Sequence, residues 1–117
     1  MPARPPHPGR HELPAIDEAG LAAARHADRI LDAARAAEAA GAPGAARWAA
    51  FLAPLPERLR DAPASELRSV ARRARAAYGP KDSIADVVPA DLAIAFRDSI
   101  DDLTRVLARH EATEARG

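Results

Sequence analysis

Apolar residues recur at intervals of three and four along four stretches of the chain, with polar residues between them. This spacing places the apolar side chains on one face of an α-helix, so it predicts four main amphipathic helices. No stretch alternates apolar and polar residues as a strand does. We therefore expect an all-α fold, a small bundle of four main helices. The predicted helices cover about residues 14–40, 43–56, 63–78 and 89–110.

Glycines and prolines mark the expected ends of these helices. Gly41 is the expected end of the first helix, and Gly79 followed by Pro80 ends the third. Residues 1–12 contain four prolines and no apolar period, so they bury too little surface to offset the entropy cost of ordering. We predict a disordered N-terminal tail at residues 1–12, a single helical domain at residues 13–112 and a frayed C-terminus at residues 113–117.

Alanine carries much of the apolar content. The apolar fraction is 48%, yet the 117 residues include only two Phe, one Trp and one Tyr. We therefore expect one core, built by close helix packing and without large aromatic pockets.

Charge and composition argue against several functions. Seventeen acids balance seventeen bases, so the chain lacks the basic excess that binding to nucleic-acid phosphates requires. The chain has no cysteine, its histidines lack zinc-site spacing, and its serines form no triad motif, so we predict no catalytic residue, metal site or cofactor. No segment resembles a signal peptide or a membrane span. We expect a cytoplasmic protein that binds neither nucleic acid nor a membrane.

Charge is distributed unevenly between the last two predicted helices. Residues 57–81 carry seven bases and three acids, whereas residues 82–104 carry six acids and one base. One interpretation is internal: the two segments lie side by side and neutralise each other, with little net stabilisation. The other is that Arg68, Arg72 and Arg75, which follow one helix face, form a docking patch for an acidic protein surface.

The loop between these helices contains a second candidate site at Gly79, Lys81, Ser83 and Asp86. Ser83 and Asp86 have the Ser-x-x-acid spacing of a capping box, which predicts a short capped turn before the last helix. The alternative is an anion pocket, in which Lys81, the Ser83 hydroxyl and free backbone N–H groups bind a phosphate or a carboxylate. The spacing differs from a nucleotide P-loop and Asp86 would repel an anion, so the sequence favours the cap.

Asp98, Asp101 and Asp102 form an acidic cluster in the last helix. The first and third lie one turn apart and could present two carboxylates to a divalent cation. A second carboxylate helix would be needed, and Asp28 and Asp32 on the first helix have the same spacing.

This cluster also has an ordinary interpretation as a solvated helix face. Asp101 has Arg97 and Arg105 one turn away on either side, so we expect it to pair with them. The sequence favours this interpretation over metal binding, because exposed carboxylate pairs are common on helices.

Four short motifs stand in order along the chain. They are Ala40-Gly41, Arg47-Trp48-Ala49-x-x-Leu52, the loop from Tyr78 to Val88, and a closing amphipathic helix through Asp102, Leu103, Leu107 and Ala108. Over about residues 36–110, the chain resembles an uncharacterised bacterial family, a domain of unknown function. In that family a Trp-Ala-x-x-Leu segment precedes a Gly-Gly-Met-Gly-Ser-x-x-Asp loop.

The resemblance is only partial in the loop. Gly79, Ser83 and Asp86 match the family pattern, while residues 80–82, Pro-Lys-Asp, replace Gly, Met and Gly. The resemblance implies a small helical fold and supplies no activity.

These observations favour a non-catalytic protein–protein interaction module with an unidentified protein partner. The small format is that of an immunity or antitoxin protein, which covers another protein's active site. The alternative function is a small-ligand or metal-dependent helical enzyme that uses the cluster of Asp98, Asp101 and Asp102.

Overall fold

A computed structural model describes residues 9–79 and 83–116. Short 3-10 turns at Arg10–Glu12 and Ile84–Asp86 precede the two long helices. This part of the chain contains no strand, which confirms the predicted all-α fold. Its α-helices are α1 (Pro14–Ala39), α2 (Ala45–Leu52), α3 (Leu55–Asp61), α4 (Ala64–Arg75) and α5 (Ala90–Arg116).

The helices are arranged as a bundle around α1 and α5. One side of α1 packs against α5 and another against α2 and α3, while α4 closes the bundle by packing against α3 and α5. Pro14 and Ile16 at the start of α1 share a surface groove with Arg109 and Thr113 near the end of α5, so α1 and α5 are antiparallel. The short helices α2 and α3 together occupy the position of one helix of a four-helix bundle.

The second predicted helix is divided at Pro54. Proline has no N–H to donate and its ring clashes with the preceding helical turn, so α2 ends at Leu52 and α3 begins at Leu55. Leu52, Leu55 and Leu59 are all fully buried, so the chain keeps its apolar side chains in the core on both sides of the break.

The glycines after α1 set the boundaries of α1 and α2. Gly41 has a φ of 78°, and its N–H donates to the carbonyl of Glu38 while the N–H of Ala42 donates to the carbonyl of Ala37. This is a Schellman motif, and it confirms the predicted end of the first helix. Because Gly44 is also left-handed, with a φ of 79°, α2 begins at residue 45 and not at residue 43 as predicted.

Alanine and branched apolar residues fill the core together. Ala23, Ala27 and Ala34 in α1 are each no more than 1% exposed. These small side chains let α1 approach its neighbours closely, in accord with the expectation from composition. The largest fully buried side chains are Phe96, Ile30, Leu52, Leu55, Leu59, Leu67, Ile84, Ile100 and Leu103, and each contributes about 1.5–3 kcal/mol by its burial.

Arg10 ties the segment before α1 to the end of α3. Its Nη1 donates to the carbonyl oxygens of Leu59 at 2.8 Å and Ala62 at 3.0 Å, and its Nε lies 3.2 Å from the Asp17 carboxylate. A cation is favourable here because the last carbonyls of a helix lack intrahelical partners. The Arg10 side chain is only 8% exposed. The predicted tail is therefore wrong for residues 9–12, and its remainder lies outside the described residues.

The last helix is also longer than predicted. It continues to Arg116, so residues 113–116 are helical where a frayed end was expected. His110 and Glu114 pair across one turn at 3.2 Å, and the Thr113 hydroxyl donates to the carbonyl of Arg109. These local contacts support the final turns of α5.

Gly20 makes room for the Arg10 side chain. A Cβ atom at position 20 would clash with Nη2 of Arg10 and would lie 3.1 Å from the carbonyl oxygen of Leu59. Within the described residues, Nε and Nη2 of Arg10 are buried without a hydrogen-bond partner. A glycine inside a helix costs up to about 1 kcal/mol relative to alanine, so this close contact explains why a glycine stands there.

We predict that Gly20→Ala destabilises the fold by about 1–3 kcal/mol, although alanine is the better helix former, because Nη2 can move only by weakening the bonds of Nη1. In an Arg10→Ala background, the same substitution should lower the free energy of unfolding by clearly less, because the contact is already absent. Urea unfolding of the four proteins, followed by circular dichroism, measures this coupling. An equal loss of unfolding free energy from Gly20→Ala in both backgrounds would contradict the close contact between position 20 and Arg10.

Two neighbouring positions in α5 provide a test of the core. Phe96 is fully buried, so Phe96→Ala should lower the free energy of unfolding by about 3–5 kcal/mol. Ile94 is 48% exposed, so Ile94→Ala should cost less than about 1 kcal/mol. Urea unfolding measures both values, and similar losses at the two positions would be inconsistent with the packing of α5.

Candidate functional site

Two of the three arginines predicted as a docking patch are paired with α5. Nη1 of Arg68 lies 2.8 Å from Glu111, and Nε of Arg75 lies 3.1 Å from Asp101. These side chains are all between 44% and 49% exposed. Such exposed pairs contribute at most about 1 kcal/mol each. For these two arginines the structure agrees with the first interpretation, in which the charges of α4 and α5 neutralise each other within the chain.

Arg72 lies between these two pairs on the same stripe of α4, and it is exposed. No carboxylate in residues 9–79 and 83–116 lies within 4.0 Å of its guanidinium. The reason is the sequence of α5: between Asp101 and Glu111 it has only one further acid, Asp102, which pairs with Arg105 at 2.9 Å. The predicted patch is therefore reduced to Arg72 on this stripe.

Two further arginines, one in α2 and one in α4, lie over aromatic rings of α2. The guanidinium carbon of Arg73 lies 5.5 Å from the ring centroid of Phe51, and that of Arg47 lies 5.1 Å from the ring centroid of Trp48. The two rings pack edge to face, with centroids 5.6 Å apart and an interplanar angle of 83°. We call Arg47, Trp48, Phe51 and Arg73 the arginine–aromatic surface. Its distances are those of cation–π contacts, which attract each guanidinium to its ring.

Positive charge on this surface is not neutralised locally. No residue of α2 is acidic, and residues 67–75 of α4 contain no acid. Glu57, Asp61 and Glu66 line a separate groove between α3 and the beginning of α4. Among the described residues, no carboxylate lies within 4.0 Å of Arg47 or Arg73.

The sequence contained part of the signal for this surface. Trp48 and Phe51 are three residues apart and Arg47 and Phe51 four apart, so a helix places them near one another. The contact of Arg73 with Phe51 depends on how α4 packs beside α2, which spacing within one helix does not predict.

The loop candidate forms the predicted turn with Ser83 as its cap, but among the described residues the Asp86 side chain does not make the return bond of a capping box. The Ser83 hydroxyl accepts a hydrogen bond from the N–H of Ala85 at 3.2 Å, and the turn that follows buries Ile84 completely. Gly79 is half-buried and Asp86 is exposed. Lys81 lies outside the described residues. The short capped turn before the last helix is confirmed.

Tyr78 anchors the end of α4 on α5. Its hydroxyl donates to the carbonyl of Ala93 at 2.7 Å, and the guanidinium of Arg75 lies 5.4 Å from the centroid of its ring. Burial raises the pKa of Tyr78 to about 12, although the nearby charges of Arg97 and Arg75 partly offset the effect.

Arginines accompany each member of the acidic cluster. Asp101 pairs with Arg75 on α4 and not with the neighbours on its own helix, as the sequence had suggested. The described residues contain no group of three or more His, Cys, Asp or Glu side chains placed to hold a metal ion. The other pairs are Asp98 with Arg97 at 3.6 Å, Asp102 with Arg105 at 2.9 Å, and Asp28 on α1 with Arg60 at 2.8 Å.

No family model matches the chain, and no similar protein was found among the curated proteins or the solved structures. The resemblance to an uncharacterised family therefore stays a prediction. Within the described residues, each helix is too short or too polar to cross a bilayer.

The single tyrosine permits a direct titration. We predict that the near-ultraviolet absorbance of tyrosinate has its midpoint near pH 12 in the folded protein and near 10.0 in urea. The pKa of Tyr78 is higher in the folded protein than in the unfolded protein. The stabilisation of the fold by the protonated hydroxyl is therefore complete below the unfolded pKa and is lost as the pH rises through the folded pKa. Tyr78→Phe should abolish the absorbance change and reduce the loss of stability in this range. A folded midpoint near the ordinary value would contradict the burial of the hydroxyl.

Proposed function

We propose that the chain is a non-catalytic protein-interaction module that binds an acidic surface of another protein. The observation that supports this function is the exposed positive charge of Arg72 and Arg73. Both lie on the part of α4 that α5 does not neutralise, whereas Arg68 and Arg75 pair with α5 carboxylates.

Charge of this kind acts mainly on encounter and specificity. A local positive patch on an otherwise balanced chain steers an acidic partner into position and disfavours basic ones. It provides less attraction for nucleic acid, because the chain as a whole has no net positive charge.

An immunity or antitoxin protein, which covers the active site of a second protein, is one form that this function takes. A cytoplasmic location and membership of the uncharacterised bacterial family belong to the same proposal, and the motifs quoted above support the family assignment. Asp98 and Asp102 line a surface groove with His26 of α1, but the described residues hold no group of three ligands placed for a metal ion. Because each aspartate of the cluster also lies beside an arginine, the alternative of an Asp-dependent enzyme has less support.

A pull-down from an extract of the source cells tests the proposal. The tagged parent should retain a stoichiometric acidic partner, and Arg72→Gln/Arg73→Gln should reduce its retention about tenfold or more. Arg68→Gln/Arg75→Gln is the matched control, since it removes the same charge from the same helix and should retain the partner. Glutamine is used because glutamate at position 68 or 75 would face an α5 carboxylate.

Two results would overturn the proposal. One is that the folded parent retains no partner, and the other is that the two double variants lose it equally. Raising the salt concentration should weaken retention by the parent, since exposed charges are screened.

A further inference from the structure

We infer that the arginine–aromatic surface binds an acidic segment of the partner in which carboxylates flank an exposed apolar side chain. This inference rests on the proposed function and adds the chemistry of the ligand and the residues that contact it. It goes beyond charge because two arginines here lie over aromatic rings.

The guanidinium carbon of each arginine lies within 5.5 Å of the centroid of a ring. Arg73 stands over Phe51 and Arg47 over Trp48, and neither has a carboxylate partner within 4.0 Å among the described residues. A planar guanidinium can donate two parallel hydrogen bonds to one carboxylate. Because the rings already restrict the arginine side chains, less conformational entropy is lost when a carboxylate binds. The two arginines therefore favour a ligand with at least two carboxylates.

The aromatic part of the surface favours an apolar group between those carboxylates. Phe51 is only half-buried and packs edge to face against Trp48, which is itself only 7% exposed, so Phe51 supplies the accessible aromatic area beside the two cations. Arginine and aromatic residues are enriched at protein–protein interfaces, and arginine contributes most to affinity where an apolar contact excludes water around it. A ligand with charge alone would leave Phe51 exposed to water.

Charge also argues against a second copy of the chain as the occupant. The acidic cluster of α5 is the obvious complementary surface, but Asp98, Asp101 and Asp102 each lie beside an arginine of their own chain. Binding a second copy would require those pairs to be exchanged with little net gain. A different protein with unpaired carboxylates has no such cost.

Trp48 provides a fluorescent reporter directly beneath this site, because it is the only tryptophan in the chain and this residue, 7% exposed, packs its ring against Phe51. The probes are two short synthetic peptides of equal charge, one of glutamate with leucine at every fourth position and one with serine in place of leucine. We expect the leucine peptide to bind about tenfold more tightly by fluorescence anisotropy and to change the emission of Trp48. The serine peptide should bind weakly and change the emission little.

Single variants locate the binding site. Arg73→Gln should weaken binding of the leucine peptide about tenfold. Arg35→Gln is the matched control, because it removes one exposed charge from α1 and should leave the affinity unchanged. Phe51→Leu, checked for folding by circular dichroism, should keep an apolar residue but remove the aromatic ring, and should lower the affinity of the leucine peptide more than that of the serine peptide.

The outcomes separate this inference from the proposed function. Equal affinity for both peptides, or equal losses of affinity in Arg73→Gln and Arg35→Gln, would overturn the inference. Neither result would contradict the proposed function, which is the binding of an acidic protein and is tested by the pull-down. Absence of peptide binding would overturn the inference too, while the pull-down decides the proposed function independently. Light scattering tests for a second copy as the occupant. If the parent is a dimer and Arg73→Gln is a monomer, the surface binds a second copy of the chain and the inference is overturned.

Discussion

The close packing of α1 against its neighbours is the constraint on which the rest of the structure depends. Its alanines allow α5 to approach on one side and α2 and α3 on the other, and Ile30 fills the centre without exposure. An isolated helix of eight residues, such as α2, is not stable in water, so α2 keeps its shape only because it packs on α1. The arginine–aromatic surface exists for the same reason, since Trp48 and Phe51 belong to α2.

The contact between Arg10 and the end of α3 serves the same packing. α3 is only seven residues long, and its last carbonyls would otherwise face the segment before α1 without partners. Arg10 supplies two donors to those carbonyls, and Asp17 supplies the nearest negative charge. The absence of a side chain at Gly20 makes the approach possible. A buried arginine in the leading segment thus joins the beginning of α1 to the end of α3, which is distant along the chain.

Position around α4 decides what each of its arginines does. Arg68 and Arg75 pair with carboxylates of α5, whereas Arg72 between them has none within 4.0 Å among the described residues. Arg73 lies over Phe51 of α2 and likewise has no carboxylate that close in the described part of the chain. The number of arginines in the segment therefore says little about its capacity to bind a partner. What matters is whether a carboxylate lies opposite each arginine, and this leaves Arg72 and Arg73 as the unpaired positive charges of α4 among the described residues.

Local interactions explain what the sequence by itself determined. The apolar period, the Schellman glycine and the Ser83 cap act within a few residues, so helix content, the end of α1 and the short turn followed from sequence. Only the tertiary structure decided which residues meet across the bundle. Arg10 binds carbonyls 49 and 52 residues away, Asp101 pairs with Arg75 and not with its helical neighbours, and Arg73 stands on Phe51. Helical spacing constrains contacts within one helix, whereas the choice of partner between helices depends on how the core packs.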